Sequence, residues 1–422
     1  MKRIPVLLVL LTILAACHDR SFEKPGNNDP QGGYKLEQVI VLSRHNIRSP
    51  LTINGSVLDS LKSHSGRWCN WSSLPGELTL KGGISETLMG QYFRLWLEDE
   101  GFIPTNWQPT RKEAKFYANS LQRTVATARY FASGMLPAAN VDIKYKPRKL
   151  DKTFLAMLST GSETFSKEAR RQWETILDKS AMDSLDKTFK ILDEILDYEN
   201  SDYFKVHGTR FNAEDFDISY APGDEPRMKG MLRNATSMCD ALVMQSYEEP
   251  DLCKAAFGHE LSEADWKLIS GLVCYYEKLL FSPRVVCCNV SMGAMKEIKR
   301  ELGRPGRKFT FLCGHDSTLM GVLYSLQVEP YTLPGSLEKM TPIGGKLLFE
   351  RYSKDSEQFV RLRLVYPGWE QLREVPAYDL ENPPMSYPLT IKGLDASEGT
   401  YYRLTDIQSR INEAIKNGKT CK

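Results

Sequence analysis

The chain has 422 residues, 41% hydrophobic and 26% charged, with 55 Lys and Arg against 53 Asp and Glu. That is enough apolar material for a large buried core and about two or three domains, and it excludes a disordered or collagen-like chain. The near-neutral balance excludes global attraction to nucleic acid or to an anionic membrane, so an anionic ligand must be drawn by a local pocket.

In chain order, the first stretch is not part of the fold. Lys2 and Arg3 precede an apolar run from Val6 to Ala16, broken only by Thr12. The run is short of the about 20 residues that cross a bilayer as a helix, and it has the form of a secretory signal. It ends Leu14-Ala15-Ala16-Cys17. Small residues directly before a cysteine resemble the bacterial lipobox, which predicts removal of residues 1–16 and lipidation of Cys17. The expected partner is then a lipid bilayer, held through an N-terminal acyl anchor, and the expected location is that of an exported periplasmic or cell-surface lipoprotein. Loss of Lys2 and Arg3 leaves 53 basic and 53 acidic residues. Residues 17–33, polar and rich in Gly, Pro and Asn, suit a flexible tether.

Tyr34 to Ser43 alternates and then runs apolar, as a buried strand does. A helical pattern follows from about Ser85 to Glu98, with Leu88, Tyr92, Leu95 and Trp96 on one face. KFYA at 115–118 reads as a short strand. Asn119 and Ser120 then read as N-cap residues of a helix carrying Val125, Ala128 and Phe131, with Arg123 in its first turn. From about 149 to 275 the texture turns helical. Residues 166–198 carry Trp173, Ile176, Leu177, Leu185, Phe189, Leu192 and Leu196 at helical spacing, and further helices are expected near 227–247 and 262–281. Strand character returns at Lys308 to Cys313, Lys346 to Arg351 and Phe359 to Val365, before a last helix from about Asp406 to Lys416. The expected fold is α/β: a central sheet flanked by helices, from residues 34–148 and 276–422, with an inserted, mainly α-helical cap over 149–275.

Nine cysteines are present. Setting Cys17 aside leaves an even eight, and an oxidising compartment predicts disulfides, the vicinal Cys287-Cys288 pair contributing; eight cysteines allow 105 connectivities. Cys313, in an apolar strand, reads as a buried thiol. No CxxC pair, HExxH or EF-hand loop occurs, so neither a metal nor another cofactor is expected. His64, His207 and His259 sit among polar residues and read as surface histidines.

The chemistry gathers at two strand ends. Val39-Ile40-Val41-Leu42 empties into Arg44, His45 and Arg48, and KFTFLC runs into Gly314-His315-Asp316. Ligands of open α/β sheets bind beyond the carboxyl ends of the strands, so both sets are expected in one crevice, with Arg123 joining them. A neutral imidazole can attack phosphorus where an anionic nucleophile would be repelled. Arginines bind phosphate oxygens bidentately and steady the transferring group. Asp316 is placed to protonate a leaving alcohol. A helix beginning after Arg48 would add backbone N–H groups.

RHNIRSP near the expected mature N-terminus, paired with the late His315-Asp316, resembles the signature of the histidine acid phosphatases, and Arg123 in SLQRTVATARYF resembles that family's third phosphate-binding arginine. The resemblance covers most of the mature chain. It is closest to the bacterial branch holding glucose-1-phosphatase and the periplasmic phytases; RHNIRSPLTINGSVL, LTLKGGISETLMGQYFRLWL and TPIGGKLLFERY resemble the glucose-1-phosphatase side. It implies an α/β domain with an α-helical domain, His45 as the nucleophile that becomes phosphohistidine, and Arg44, Arg48, Arg123 and His315 as phosphate ligands. It implies Asp316 as the general acid. Asn46 stands where most of the family has glycine, and asparagine tolerates unusual backbone angles. Leu51 stands where phytases place polar or basic residues and would narrow the mouth. As pocket residues, both favour a small sugar phosphate over phytate. Thr318 departs from the asparagine usual in both branches. The implied function is a metal-independent acid phosphatase for small phosphomonoesters such as glucose 1-phosphate. The alternatives are a phytase or inositol phosphate phosphatase and, in another class, a phosphate-ligand-binding lipoprotein on a dead scaffold. An intact acid argues against the last, and an exported protein lacks an obvious phosphoglycerate supply for mutase chemistry.

Overall fold

The computed structural model describes residues 33–52, 56–147, 150–176 and 179–420. Cys17, the stretch before Gly33 and Cys421 therefore lie outside the described residues. The strands are β1 Lys35–Arg44, β2 Ala114–Ala118, β3 Ile143–Lys144, β4 Asp217–Ser219, β5 Arg227–Lys229, β6 Phe309–Gly314, β7 Lys346–Lys354, β8 Glu357–Tyr366, β9 Met385–Pro388 and β10 Tyr401–Arg403. One mixed sheet runs β10-β8-β7-β1-β6-β2-β3, with β9 added to β8, while β4 and β5 form a separate hairpin.

The middle of the sheet is parallel. β1 pairs with β6 in the register Leu42↔Leu312, Ser43↔Cys313 and Arg44↔Gly314. β2 pairs with the other edge of β6, ending at Ala118↔Cys313. Three neighbouring strands thus stop at one level, and the residues that follow them are adjacent in space.

Both faces of these strands are covered, which is why β1 reads as an unbroken apolar run rather than an alternation. Val39 and Val41 pack with helices Leu80–Asp99 and Gln122–Met135, through Met89, Phe93, Phe131 and their neighbours. Ile40 and Leu42 pack on the opposite face with helices Met292–Leu302, Asp316–Leu326 and Leu404–Thr420. Phe131 stacks on Phe311 at 4.2 Å between ring centroids.

The helices Leu80–Asp99 and Gln122–Met135 approach each other at two glycines. A Cβ on Gly90 would lie 2.1 Å from the Phe131 carbonyl oxygen, and one on Gly134 would lie 1.9 Å from that of Thr87. The first helix begins earlier than the apolar spacing predicts, because the Thr79 hydroxyl caps it by accepting from Gly82 N–H.

Between β3 and β6 the chain is mainly helical, built on Glu163–Glu174, Lys179–Ile195, Met231–Glu248 and Glu263–Phe281 around a core that includes Leu185, Phe189, Leu192, Met238, Leu242 and Trp266. The helical stretch expected over 166–198 is two helices followed by a 3-10 turn at Tyr198–Asn200. The expected helix at 227–247 is β5 followed by a helix from Met231. Gly230 separates them, with φ of 99° and no room for a Cβ, which would lie 2.3 Å from the Asp215 carbonyl oxygen. Among the described residues no helix starts directly at Arg48, and the first one after it is the short Val57–Ser60. Arg48 bridges to Leu78, Ser49 N–H donates to Glu77 O at 3.0 Å, and Pro50 disfavours a helical Ser49.

The seven cysteines among the described residues are thiols, which corrects the expected disulfides. Cys287 and Cys288 are successive residues of helix Arg284–Val290 and both are free thiols, and the Cys287 Sγ–H donates to Arg284 O at 3.4 Å. Cys313 is buried. His64 is 85% exposed beside Asp202, and His207 is exposed.

Closing the helix contact tests this packing. Gly134→Ala is expected to lower stability by about 1–3 kcal/mol, read as a lower urea midpoint; an unchanged midpoint would show that the helices can move apart freely.

Candidate active site

Beyond the level where β1, β6 and β2 stop, the chain supplies Arg44 and His45, then His315 and Asp316, then Asn119. Arg123 follows one helical turn on, near the start of helix Gln122–Met135, where Leu121 is the N-cap and offers no side-chain bond. Asn119 and Ser120 are therefore not the cap. His45, Arg48, Leu51, Arg123, His315 and Asp316 line one cavity of about 690 Å³, closed on its far side by residues 223–233 and Tyr276. Arg44 lies beneath, 4% exposed, with Nη2 3.0 Å from Asp316 Oδ2 and Nη1 donating to Thr341 O at 2.6 Å. The pocket carries Leu51 at its mouth, 52% exposed.

The two imidazoles face each other edge to face, 5.5 Å between centroids. His45 Nδ1 lies 2.9 Å from the Asn46 carbonyl oxygen. A carbonyl only accepts, so the proton is on Nδ1 and Nε2 keeps its lone pair. At His315 the Asn119 amide decides. Its Oδ1 accepts from Ser120 N–H at 2.8 Å, so its Nδ2 donates to His315 Nε2 at 2.7 Å. The His315 proton is then on Nδ1, 3.5 Å from Arg123 Nη2. Two donors meet there with no acceptor between them, and Arg44 Nε and Arg123 Nε are buried donors without an acceptor among the described residues. That is a geometry for an anion's oxygens. Helix Asp316–Leu326 adds its N-terminus, and the Thr318 hydroxyl holds the turn by accepting from His315 N–H at 3.0 Å and donating to Phe154 O.

The charges fix the protonation states. Burial, reinforced by Arg123, His315, Arg44 and Arg48, drives His45 well below the ordinary histidine range. Burial and the arginines take His315 down to about 3. Arg123 is lowered to about 10, by burial and by Arg48. Burial pushes the Asp316 carboxyl up, but Arg44, His315, the Ser317 N–H and Arg48 together outweigh it and hold it below the carboxylate range.

Asn46 is not a pocket residue. It is fully buried, outside the left-handed region, and its Nδ2 donates to Glu86 Oε2 at 2.9 Å. Glu86 pairs with Lys346 at 2.8 Å, both 0% exposed, and Lys346 also donates to Gly344 O. The Asn46 backbone N–H donates to Thr127 Oγ1 at 3.2 Å. The carbonyl that sets the His45 tautomer is thus fixed from two sides. Asparagine serves here as an amide for a buried carboxylate rather than for its backbone freedom.

Several residues escaped the sequence reading. Asp240, on helix Met231–Glu248, binds Arg48 Nη2 at 2.7 Å, and nothing in its surroundings along the chain marks it. Glu86 and Lys346 read as ordinary surface charges. Asn119 carried a usable signal, since it follows β2 as His315 follows β6. Among the described residues no group of three or more His, Cys, Asp or Glu could hold a metal ion, and no helix is long and apolar enough to cross a membrane.

Residues 35–219 match the model of the histidine phosphatase superfamily, branch 2. A glucose-1-phosphatase of Salmonella typhimurium is 34% identical over 394 residues, 91% of this chain and 94% of the relative. The chain belongs to branch 2 of the histidine phosphatase superfamily. A glucose-1-phosphatase of Providencia rettgeri is 31% identical over 92% of this chain and 94% of its own length. A phytase of Escherichia coli is 24% identical over 86% of this chain and 87% of its own. The Hafnia alvei phytase has the same fold, with a TM-score of 0.82 at 22% identity over 92% of this chain and 98% of its own. The protein is thus a histidine-type acid phosphatase acting on small phosphorylated substrates.

The depressed histidine makes stability depend on pH. A base whose pKa falls on folding stays neutral in the folded chain, while the unfolded chain takes up a proton below about 6.5. The His315 contribution is complete above 6.5 and is lost as pH falls toward 3. Wild-type stability, by urea unfolding, is expected to drop between pH 6.5 and 4.5 by about 2–3 kcal/mol more than that of His315→Asn; equal pH dependence would show that His315 is not held neutral.

Proposed function

We propose that the protein hydrolyses phosphomonoesters of small sugars, glucose 1-phosphate foremost, without a metal and through a phosphohistidine at His45. The observation that carries this reading is the His45 Nδ1 bond to the Asn46 carbonyl, which turns an Nε2 lone pair toward a cluster of cations. Burial, reinforced by those cations, also explains work at acid pH. It keeps the imidazole unprotonated, and so nucleophilic, where a free histidine would be charged. In this reading Arg44, Arg48, Arg123 and His315 hold the three phosphoryl oxygens as charge spreads over them. The arriving dianion displaces the attraction between Asp316 and Arg44, raises the Asp316 pKa and lets it carry the proton that the leaving alcohol takes. Water then attacks the phosphohistidine with Asp316 as base, returning His45 and inorganic phosphate. Asn119 orients His315, and Asp240 orients Arg48. Leu51 narrows the entrance. Residues 149–275 act as the cap that completes the pocket.

The relatives named glucose-1-phosphatase support this substrate. A second reading, hydrolysis of inositol polyphosphates, is favoured by Arg227, Lys229 and Arg233 on the outer wall, which suit additional phosphates. Phosphate release at acid pH with EDTA present, from glucose 1-phosphate and phytate side by side, separates the two. Faster release from glucose 1-phosphate supports the first reading and faster release from phytate the second. His45→Ala is expected to lower kcat by at least about 10³-fold. Asp316→Asn is expected to lose far more activity on glucose 1-phosphate than on p-nitrophenyl phosphate, whose leaving group needs no proton. Equal losses on the two would remove Asp316 as the acid.

Export and anchoring rest on Leu14-Ala15-Ala16-Cys17. Labelled fatty acid is expected to enter the full-length protein in cells and not the Cys17→Ser variant; labelling of both would place the acyl group elsewhere.

A further inference from the structure

The cavity that holds His45 opens into a second chamber of about 350 Å³, and the two share Arg48, Arg233, Tyr276, Asp316 and Ser317 among their walls. His45 does not line the inner chamber, whereas Asp316 lines both. In-line displacement sets the leaving oxygen opposite the attacking nitrogen, and the acid must reach that oxygen. The chamber that has the acid and lacks the nucleophile is therefore where the leaving group goes. Its volume is at the small end of the range for ligand pockets, about 300–1,000 Å³.

The inner wall differs in charge from the outer one. Arg227 and Lys229 belong to the outer cavity alone, while Asp240 and Glu277 belong to the inner. Glu277, on helix Glu263–Phe281, is 9% exposed and lines the chamber. No donor or cation among the described residues lies within hydrogen-bond or ion-pair distance of its carboxyl. A buried carboxyl left without a partner costs folding energy, and such groups concentrate where a ligand supplies the partner. Burial, then Asp316, Asp240 and Glu338, push the Glu277 carboxyl well above the ordinary range against the pull of Arg44. A neutral carboxylic acid both donates and accepts, as the hydroxyls of a polyol do. Asp240 is occupied by Arg48 and Glu225 accepts from Ala156 N–H at 3.1 Å, so Glu277 is the acid at liberty to meet a ligand.

We propose that the inner chamber is the leaving-group subsite, that it takes an uncharged polyhydroxyl group of hexose size rather than a further phosphate, and that Glu277 binds the hydroxyls of that group. This rests on the phosphatase reading of the site and deepens it. A second phosphate in the chamber would face Asp240, Glu277 and Asp316 together, with only Arg233 added to the cations that already hold the first.

The test compares kcat/KM for glucose 1-phosphate with that for p-nitrophenyl phosphate, whose leaving group has no sugar hydroxyls, in wild type, Glu277→Leu and Glu277→Gln. The ratio is expected to fall roughly tenfold in Glu277→Leu, chiefly through KM for the sugar phosphate. Glu277→Gln, which keeps a donor and an acceptor, is expected to hold it within about threefold of wild type. A loss shared equally by the two substrates, or an unmoved ratio, overturns the assignment. Should Glu277→Leu not fold, single deoxy analogues of glucose 1-phosphate are compared on wild type and Glu277→Gln. At least one deletion is expected to cost the wild type roughly tenfold in KM and the variant a different amount; the same cost at every position in both proteins overturns it. Release of phosphate by the wild type with an unmoved ratio rejects the role of Glu277 alone, whereas no release from either substrate rejects the phosphatase reading beneath it.

Discussion

The parallel pairing of β1 with β6, and of β6 with β2, is the constraint on which everything else depends. Backbone hydrogen bonds set the register, and register decides which residues leave the sheet together. Arg44 stands beside Gly314, so His45 and His315 emerge as neighbours although 270 residues separate them in the chain. A slip of one residue would turn each strand over and send the apolar side chains to the wrong helical layer. The same packing that buries Val39, Ile40, Val41 and Leu42 thus aligns the imidazoles.

What gathers at those strand ends is a set of cations with few counter-ions. Arg44 leans on Asp316 and Arg48 on Asp240, while Arg123 has, among the described residues, only the Gly76 carbonyl as an acceptor. Like charges held in a buried place repel, and folding elsewhere has to bear that cost. The repulsion has a use. Together with burial it keeps both imidazoles uncharged, and it leaves N–H groups without acceptors, the setting in which, on the proposed function, a dianion relieves strain on arrival. Binding and preorganisation here have one electrostatic source.

The residues closest to the proposed phosphoryl position were legible in the sequence because most sit at the end of an apolar run, where a basic residue is conspicuous. The sheet strands and most helices were legible for the same reason: long periodic or unbroken apolar stretches leave one packing solution. The supporting residues were not. Asp240 and Glu277 reach the site by tertiary packing, and Glu86 with Lys346 form a buried pair. Asn46 was read for its backbone tolerance, whereas its side-chain amide is what the fold uses. The Gly230 break and the pairing of Ser49 with Glu77 were missed for a related reason, since each is set by a backbone neighbour far away in sequence. Disulfides were inferred from compartment and parity, neither of which says where a sulfur points.

The glycine contact between helices Leu80–Asp99 and Gln122–Met135 has a consequence for how such a protein can change. The first helix carries Glu86 and the second carries Arg123 and Thr127, so their separation is also the spacing between the tautomer-setting carbonyl and an arginine of the clamp. With main chain against main chain at Gly90 and Gly134, that spacing has no adjustable side chain in it. Drift in this half can only harm. The segment opposite meets the pocket mostly through side chains of residues 223–229, Arg233 and Tyr276. A change of substrate in this protein is therefore easier to reach by substitution on that wall than by moving the two helices.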